Sequence, residues 1–316
     1  MTHIASIDIG SHTARLLVAK RTGPPQYMKP IMRKRAYIRL AEGFDEQRGK
    51  NIGQGAIRRT LRVLEDFAAV IRSLDADLVG AVSTGVTREA ENRDHFVNLI
   101  YRDTGIQINI ISGEEEARLT CKGVLHSLNM DNNPFLIFDL GGGSTEFVAG
   151  QIGANEVKSL PLGTLILTQR YLSKDPPDEE GLKALAHHVD RVLKEGLPQP
   201  FHKEGNRLLV GTGGTVTTLA AMEEGISIEE ISPERMNGVI LRRDALEALF
   251  ERMVRVTTKE RLGFQGLDEG RADVIPAGAM VVIRIMHLFK AHRMTVSLSD
   301  LLEGVLIDGL ASFIGC

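Results

Sequence analysis

The chain has 316 residues, 43% of them hydrophobic and 25% charged, the composition of a folded globular protein rather than a disordered or fibrous one. Lys and Arg number 38 against 41 Asp and Glu, a net charge of −3, so no overall basic field recruits nucleic acid and a polyanionic ligand needs a local basic site. Two cysteines build no disulfide framework: Cys121 lies on an apolar stripe, Cys316 ends the chain, and both are expected as free thiols in a reducing cytoplasm.

In chain order, IASIDIGSHTARLLVAK predicts a strand, a tight Gly-Ser turn and a returning strand. Met1-Thr-His-Ile enters that strand without a basic stretch and hydrophobic run. The longest apolar stretch, Val274 to Phe289, is broken by Pro276, Arg284 and His287 and is too short for a bilayer. A cytoplasmic protein with no membrane partner is expected. A loop carrying Pro24, Pro25 and Pro30 follows the first hairpin. Ile57, Leu61, Leu64, Ala68 and Ile71 then recur at helical spacing, the mark of an amphipathic helix. ADLVGAVST and QINIIS read as short strands, with a mostly helical segment between them.

A second cycle begins at Phe135, where FLIFDLGGGSTEFVAG again reads as strand, Gly-rich turn, strand. RLLVGTGGTVTTLAAM gives a third strand-to-turn signal near position 210. LSKDPPDEEG predicts a surface loop feeding a helix that starts near Glu179, and the rest of the C-terminal half is helix-rich. Two α/β lobes with a cleft between them is the economical reading.

Three Gly-rich turns thus follow apolar strands, at Gly10, at Gly141, Gly142 and Gly143, and at Gly211 to Gly214. Glycine lets backbone N–H groups approach an anion closely. Ser11, Thr13, Ser144, Thr145, Thr212 and Thr215 offer further donors. None of the turns ends in Gly-Lys-Ser/Thr or has the GxGxxG form. A hairpin bend explains any one of them; three in one chain, two with a preceding Asp, point to phosphate. A carboxylate beside bound phosphate meets it through Mg²⁺, which suits Asp139 with Glu146 as a second ligand. For Asp8, metal binding and capping of its own turn remain even readings.

The sharpest local motif is Ser112-Gly-Glu-Glu-Glu-Ala-Arg118, after QINII and at the start of a helix. Three glutamates in a first turn suit the helix dipole by themselves. Glu116, however, is followed on its own face by Thr120, Gly123 and Ser127, all small. A Glu on such a face is placed to meet a substrate and to take a proton from attacking water. Arg15, Arg88 and Arg271 lie in or beside small-residue stretches, where a guanidinium fork suits phosphate. The His187-His188 pair invites a metal reading, but no further ligands stand at suitable spacing and a solvated helix face is expected.

Together these motifs resemble the exopolyphosphatase/guanosine pentaphosphate phosphohydrolase family, in the sugar kinase, Hsp70 and actin superfamily. The matching segments are DIGSHTARLLV, STGVTREAENRDHF, ISGEEEARL, FDLGGGSTEFV, LPLGT, GTGGTVTTLAA and GRADVIPAG, in family order over nearly the whole chain. The resemblance implies an α/β fold of two ribonuclease H-like lobes, of the actin-like ATPase kind, with the active site in an interdomain cleft. The lobes would span 1–124 and 125–299, with a C-terminal helix over 300–316 packing back on the first. It implies Glu116 as catalytic base with Glu115 beside it, and a divalent metal, Mg²⁺ or another, at Asp139 with Glu146 near. The phosphate turns fall on Gly10-Ser11, Gly141-Gly143-Ser144 and Gly213-Gly214, and the phosphate-facing arginines on Arg15, Arg88 and Arg271.

Departures from the family pattern are His12-Thr13 where Asn-Ser is usual, and Leu302 where an Arg commonly precedes Glu-Gly. The chain also stops without the long helical extension of larger members, which puts processivity on long polymer in question. The leading expectation is hydrolysis of the terminal phosphoanhydride of polyphosphate, releasing orthophosphate. Guanosine pentaphosphate competes as substrate, since both present the same terminal bond. A superfamily ATPase or kinase, and a non-catalytic regulator that binds polyphosphate or an alarmone, stay open. A homodimer is neither required nor excluded by the residues.

Overall fold

A computed structural model of the protein describes residues 2–23, 28–44, 49–128, 130, 134–151, 154–202 and 207–314. Pro24, Pro25 and Cys316 lie outside these residues. In chain order the first elements are β1 (His3–Ile9), β2 (Thr13–Arg21), β3 (Met28–Tyr37), α1 (Gln54–Ser73), β4 (Ala76–Ser83), α2 (Val86–Glu89), α3 (Arg93–Thr104), β5 (Asn109–Ile110) and α4 (Gly113–Leu128). Then come β6 (Phe135–Leu140), β7 (Thr145–Gln151), β8 (Ala154–Leu160), α5 (Thr164–Tyr171), α6 (Glu179–Gly196), β9 (Leu208–Thr212) and α7 (Gly214–Glu224). The last are α8 (Pro233–Met236), β10 (Ile240–Arg242), α9 (Arg243–Val254), α10 (Thr258–Arg261), α11 (Ile275–Leu288), β11 (Arg293–Val296) and α12 (Leu301–Ile314). Among the described residues no helix is long and apolar enough to cross a membrane. The chain forms two compact units, Met1–His126 with Asp300–Cys316, and Ser127–Ser299.

The first unit holds a sheet ordered β3-β2-β1-β4-β5, with β1, β2 and β3 antiparallel and β4 and β5 parallel to β1. The segment read as a loop around Pro30 is instead the edge strand β3. Pro30 pairs with Ala19 at a register shift, an edge bulge where a missing N–H breaks no ladder. Charged residues at Lys29, Arg33, Lys34 and Arg35 hide its alternation in the sequence and blunt the edge. Register places Ile4 opposite Ala19, Ser6 opposite Leu17 and Asp8 opposite Arg15 on one sheet face. The helix α12 covers that face, burying Leu302, Leu306 and Leu310 against Ile4, Leu17 and Ala19. Leu302 is therefore a core residue, where an arginine would have no solvent.

The small-residue face of α4 has a different use from the one its sequence suggests. A Cβ on Gly123 would run into the Asp300 carbonyl, and a Cβ on Gly304 into the Leu119 carbonyl. Thr120 and Gly123 are buried, so beyond Glu116 this face packs backbone to backbone against α12.

The second unit holds a six-stranded sheet ordered β10-β11-β9-β6-β7-β8. Its β6-β7-β8 meander, with β9 parallel to β6, repeats the β1-β2-β3 and β4 arrangement of the first sheet. Strands β8, β10 and β11 escape sequence reading because they are short or charged. The core gathers Phe138, Phe147, Leu185, Val189 and Val216 with the nearly all-apolar α11.

Candidate active site

In the first unit the Gly10 turn closes with Gly10 N–H donating to the Thr13 carbonyl at 2.9 Å. Ser11 Oγ accepts from Val86 N–H at 3.1 Å, and Gly85, at φ +52°, comes so close that a Cβ there would strike the same oxygen. The first turn is thereby locked to the segment that carries Arg88. Thr13 is buried as the first residue of β2. His12 is buried too, its ring 5.1 Å from that of Tyr37.

Glu116 is 7% exposed in the first turn of α4. Ser112 starts that helix as an N-cap does, its Oγ accepting from Glu115 N–H at 3.1 Å. The Arg88 guanidinium reaches Glu116 Oε2 at 3.4 Å and the Ile111 carbonyl at 3.1 Å, so a buried carboxylate and an arginine share one spot. Glu115 parts from its neighbour. Its side chain is 41% exposed and lies 3.3 Å from Arg118, an ion pair along the helix rather than half of a catalytic couple.

Asp8 and Arg15, expected at metal and phosphate, meet each other. Arg15 donates to Asp8 Oδ2 through Nε at 2.9 Å and Nη2 lies at 2.7 Å; its Nη1 binds Asp300. Burial pushes the Asp8 carboxyl above its ordinary range; Arg15 opposes this, and Asp300 adds to it. Asp300 and Glu303 escaped the sequence reading, although Ser-Asp-x-x-Glu carries the helix-start signature that could have found them. Asp300 Oδ1 accepts from Leu302 N–H at 3.2 Å, Glu303 Oε2 accepts from Asp300 N–H at 3.1 Å, and Glu303 also binds Arg33.

In the second unit, Gly141 N–H donates to the Ser144 carbonyl at 3.0 Å. The start of α5 rests on this turn: Thr164 N–H donates to the Gly141 carbonyl and Leu165 N–H to the Gly142 carbonyl, each at 3.0 Å. Gly163 makes that approach possible, since a Cβ there would overlap Gly142 O and Gly143 Cα and C. Thr145 is a correction to the list of phosphate donors. Its one hydroxyl hydrogen goes to the Leu162 carbonyl at 2.6 Å, pinning the segment before α5. Ser144 is buried at the end of the same turn.

Asp139 and Glu146 are direct cross-strand partners on β6 and β7, both buried on one face, and Ser159 donates to Glu146 Oε1 at 2.8 Å. Among the described residues no group of three or more His, Cys, Asp or Glu gathers to hold a metal. Two carboxylates still suit Mg²⁺, which keeps several waters and takes substrate phosphate for the rest. Gly213, at φ +92°, brings its backbone against the Asp139 carboxylate and caps α7. Gly214 leaves space that the Arg271 guanidinium fills, so Arg271 lies against the first residue of α7. Thr215 is buried with its methyl against Gly278 of α11, in packing rather than at an open surface.

Arg261, 1% exposed, was not foreseen either. It donates to the Ala272 carbonyl at 2.8 Å and the Met253 carbonyl at 2.9 Å, fixing the segment that presents Arg271. Nothing in its local sequence separates it from a surface arginine.

Residues 17–313 match the model of the Ppx/GppA phosphatase family. The chain is 31% identical over 319 residues to Exopolyphosphatase 2 of Mycobacterium tuberculosis, covering 98% of each chain. It is 31% identical over 317 residues to the bifunctional 3-dehydroquinate synthase/phosphatase of Fusobacterium nucleatum subsp. nucleatum, covering 97% of this chain but 46% of that protein. Among solved structures, the Ppx/GppA family member of Aquifex aeolicus superposes with a TM-score of 0.80 at 29% identity, covering 99% of this chain and 98% of that one.

Proposed function

The chain belongs to the Ppx/GppA phosphatase family and is a phosphoanhydride hydrolase, and from that premise we propose that it removes the terminal phosphate of inorganic polyphosphate as orthophosphate. The observation that carries the mechanism is the buried Glu116 carboxylate beside the Arg88 guanidinium at the start of α4. Glu116 positions the attacking water and takes its proton. The water oxygen forms the new bond to the terminal phosphorus, and the bridging oxygen leaves with the shortened chain. Arg88 binds oxygens of the transferring group, and in the second unit Arg271, beside the α7 N-terminus, offers a guanidinium suited to phosphate. In each unit the Gly-rich turns, apart from the Gly10 and Gly141 N–H groups that close them, supply backbone donors suited to phosphate.

Asp139 and Glu146 would hold Mg²⁺, which when bound neutralises phosphate charge. Asp8 and Arg15 are assigned to each other and to the start of α12, outside the chemistry. Polyphosphate is preferred to guanosine pentaphosphate because the relative matched end to end is named an exopolyphosphatase.

The test is orthophosphate release, with Mg²⁺, from short polyphosphate, long polyphosphate, guanosine pentaphosphate and ATP in parallel. Release from polyphosphate should exceed the other two. Glu116→Gln should keep the unfolding midpoint and lose about 10²–10⁴-fold in rate. Full activity in that variant, or release from ATP alone, overturns the reading.

A further inference from the structure

Arg261 is the largest fully buried side chain among the described residues, and the hydrolytic mechanism gives it no task. Its guanidinium carries five N–H donors in one plane, and the fold of the second unit supplies an acceptor for each. Nε donates to the Met253 carbonyl at 2.9 Å. Nη1 donates to the Ala272 carbonyl at 2.8 Å and to Thr258 Oγ1 at 3.1 Å. Nη2 donates to the Val256 carbonyl at 3.0 Å and to Asp175 Oδ1 at 3.4 Å. Burial lowers the proton affinity of Arg261, and Asp175 and Asp273 oppose that effect.

A cation withdrawn from water against carbonyl oxygens stabilises little, and a well-packed apolar side chain would avoid its desolvation cost. What a rigid planar fork does supply is position. Here it fixes three places relative to one another: the last turn of α9, the start of α10 and the residue after Arg271.

Arg271 has little freedom to move. It is 5% exposed, and its guanidinium fills the space over Gly214 so closely that a Cβ there would overlap Nη2 and Cζ. Its backbone sits in a short turn. Asp268 Oδ1 accepts from Gly270 N–H at 2.9 Å, and the Asp268 carbonyl accepts from Arg271 N–H at 2.9 Å. Asp268 thus holds the turn ahead of Arg271, and Arg261 holds it behind, through the Ala272 carbonyl.

We propose that Arg261 is a positioning residue for phosphoanhydride hydrolysis, setting the Arg271 guanidinium at the start of α7 without touching substrate itself. This rests on the phosphate role given above to Arg271. An arginine misplaced by about 1 Å should cost on the order of 10²-fold in rate.

The test is a double-mutant cycle on orthophosphate release at saturating polyphosphate, with Arg261→Lys placed in wild-type and Arg271→Gln backgrounds. Lysine keeps the charge and loses the fork. In the wild-type background kcat should fall about 10–10²-fold. With Arg271 already replaced, the further loss should be less than about twofold, because the group being positioned is gone. A general loosening of the second unit would instead lower kcat by the same factor in both backgrounds. Asp175→Ala is the milder second variant, since Asp175 is exposed and touches the network only through Arg261 Nη2 and Thr258 N–H. It should lower kcat about threefold, with the same dependence on Arg271. Equal losses in the two backgrounds, or wild-type kcat in both Arg261→Lys and Asp175→Ala, overturn the positioning role and leave that of Arg271 standing. A wild-type rate for Arg271→Gln alone overturns the phosphate role of Arg271, and the proposal with it.

Discussion

Gly163→Ala isolates the contact between the LPLGT segment and the second Gly-rich turn. Gly163 has φ −96° and ψ 136°, ordinary extended geometry for alanine, so the backbone itself resists nothing. The obstacle is steric. A Cβ at this position would lie about 1 Å inside van der Waals contact with three backbone atoms, Gly142 O and Gly143 Cα and C. None belongs to a flexible side chain, so either the turn or the start of α5 must move by about that distance. Overpacking of this kind costs about 1–3 kcal/mol. It also strains the bonds from Thr164 and Leu165 to the Gly141 and Gly142 carbonyls. If the turn cradles phosphate, a displacement of about 1 Å should lower the hydrolytic rate about 10²-fold. Chemical denaturation measures the first effect, and orthophosphate release from polyphosphate under saturating Mg²⁺ the second. Wild-type rate in a destabilised variant would refute the phosphate role of this turn. Wild-type stability and rate together would refute the contact.

Leu302→Arg, which installs the residue common in the family, should destabilise the first unit by about 3 kcal/mol or more, because the charge would enter the cluster of Ile4, Leu17 and Leu306. Thermal unfolding checks this, and a stable, more active variant would show that an arginine finds a partner there. Burial pushes the Cys121 thiol up to about 12, so in a Cys316→Ser background the native protein should resist alkylation at pH 8 until denaturant is added. Above pH 9 the unfolded thiol ionises while the folded one stays protonated, so stability should fall as pH rises toward 12, and Cys121→Ala should flatten that slope.

The strand-turn-strand cycles at Asp8 and Asp139, the amphipathic α1 and the helix-start motif holding Glu116 are legible in the chain alone. These are local signals, set by alternation, helical spacing and glycine at tight turns. The family followed from their order along the chain. Partnership between side chains is settled only by the packing of distant segments. Asp8 and Arg15 are adjacent across a β-ladder and bind each other, and Arg15 also binds Asp300, 285 residues away in sequence. The small-residue stripe of α4 reads as an open face until α12 is seen against Gly123, and Leu302 reads as a missing arginine until the sheet beneath it is seen. Glu115 and Glu116 are chemically identical in the sequence. Only the α4 packing turns one to solvent and buries the other beside Arg88, because a helix advances each residue by about 100° and the core claims one side.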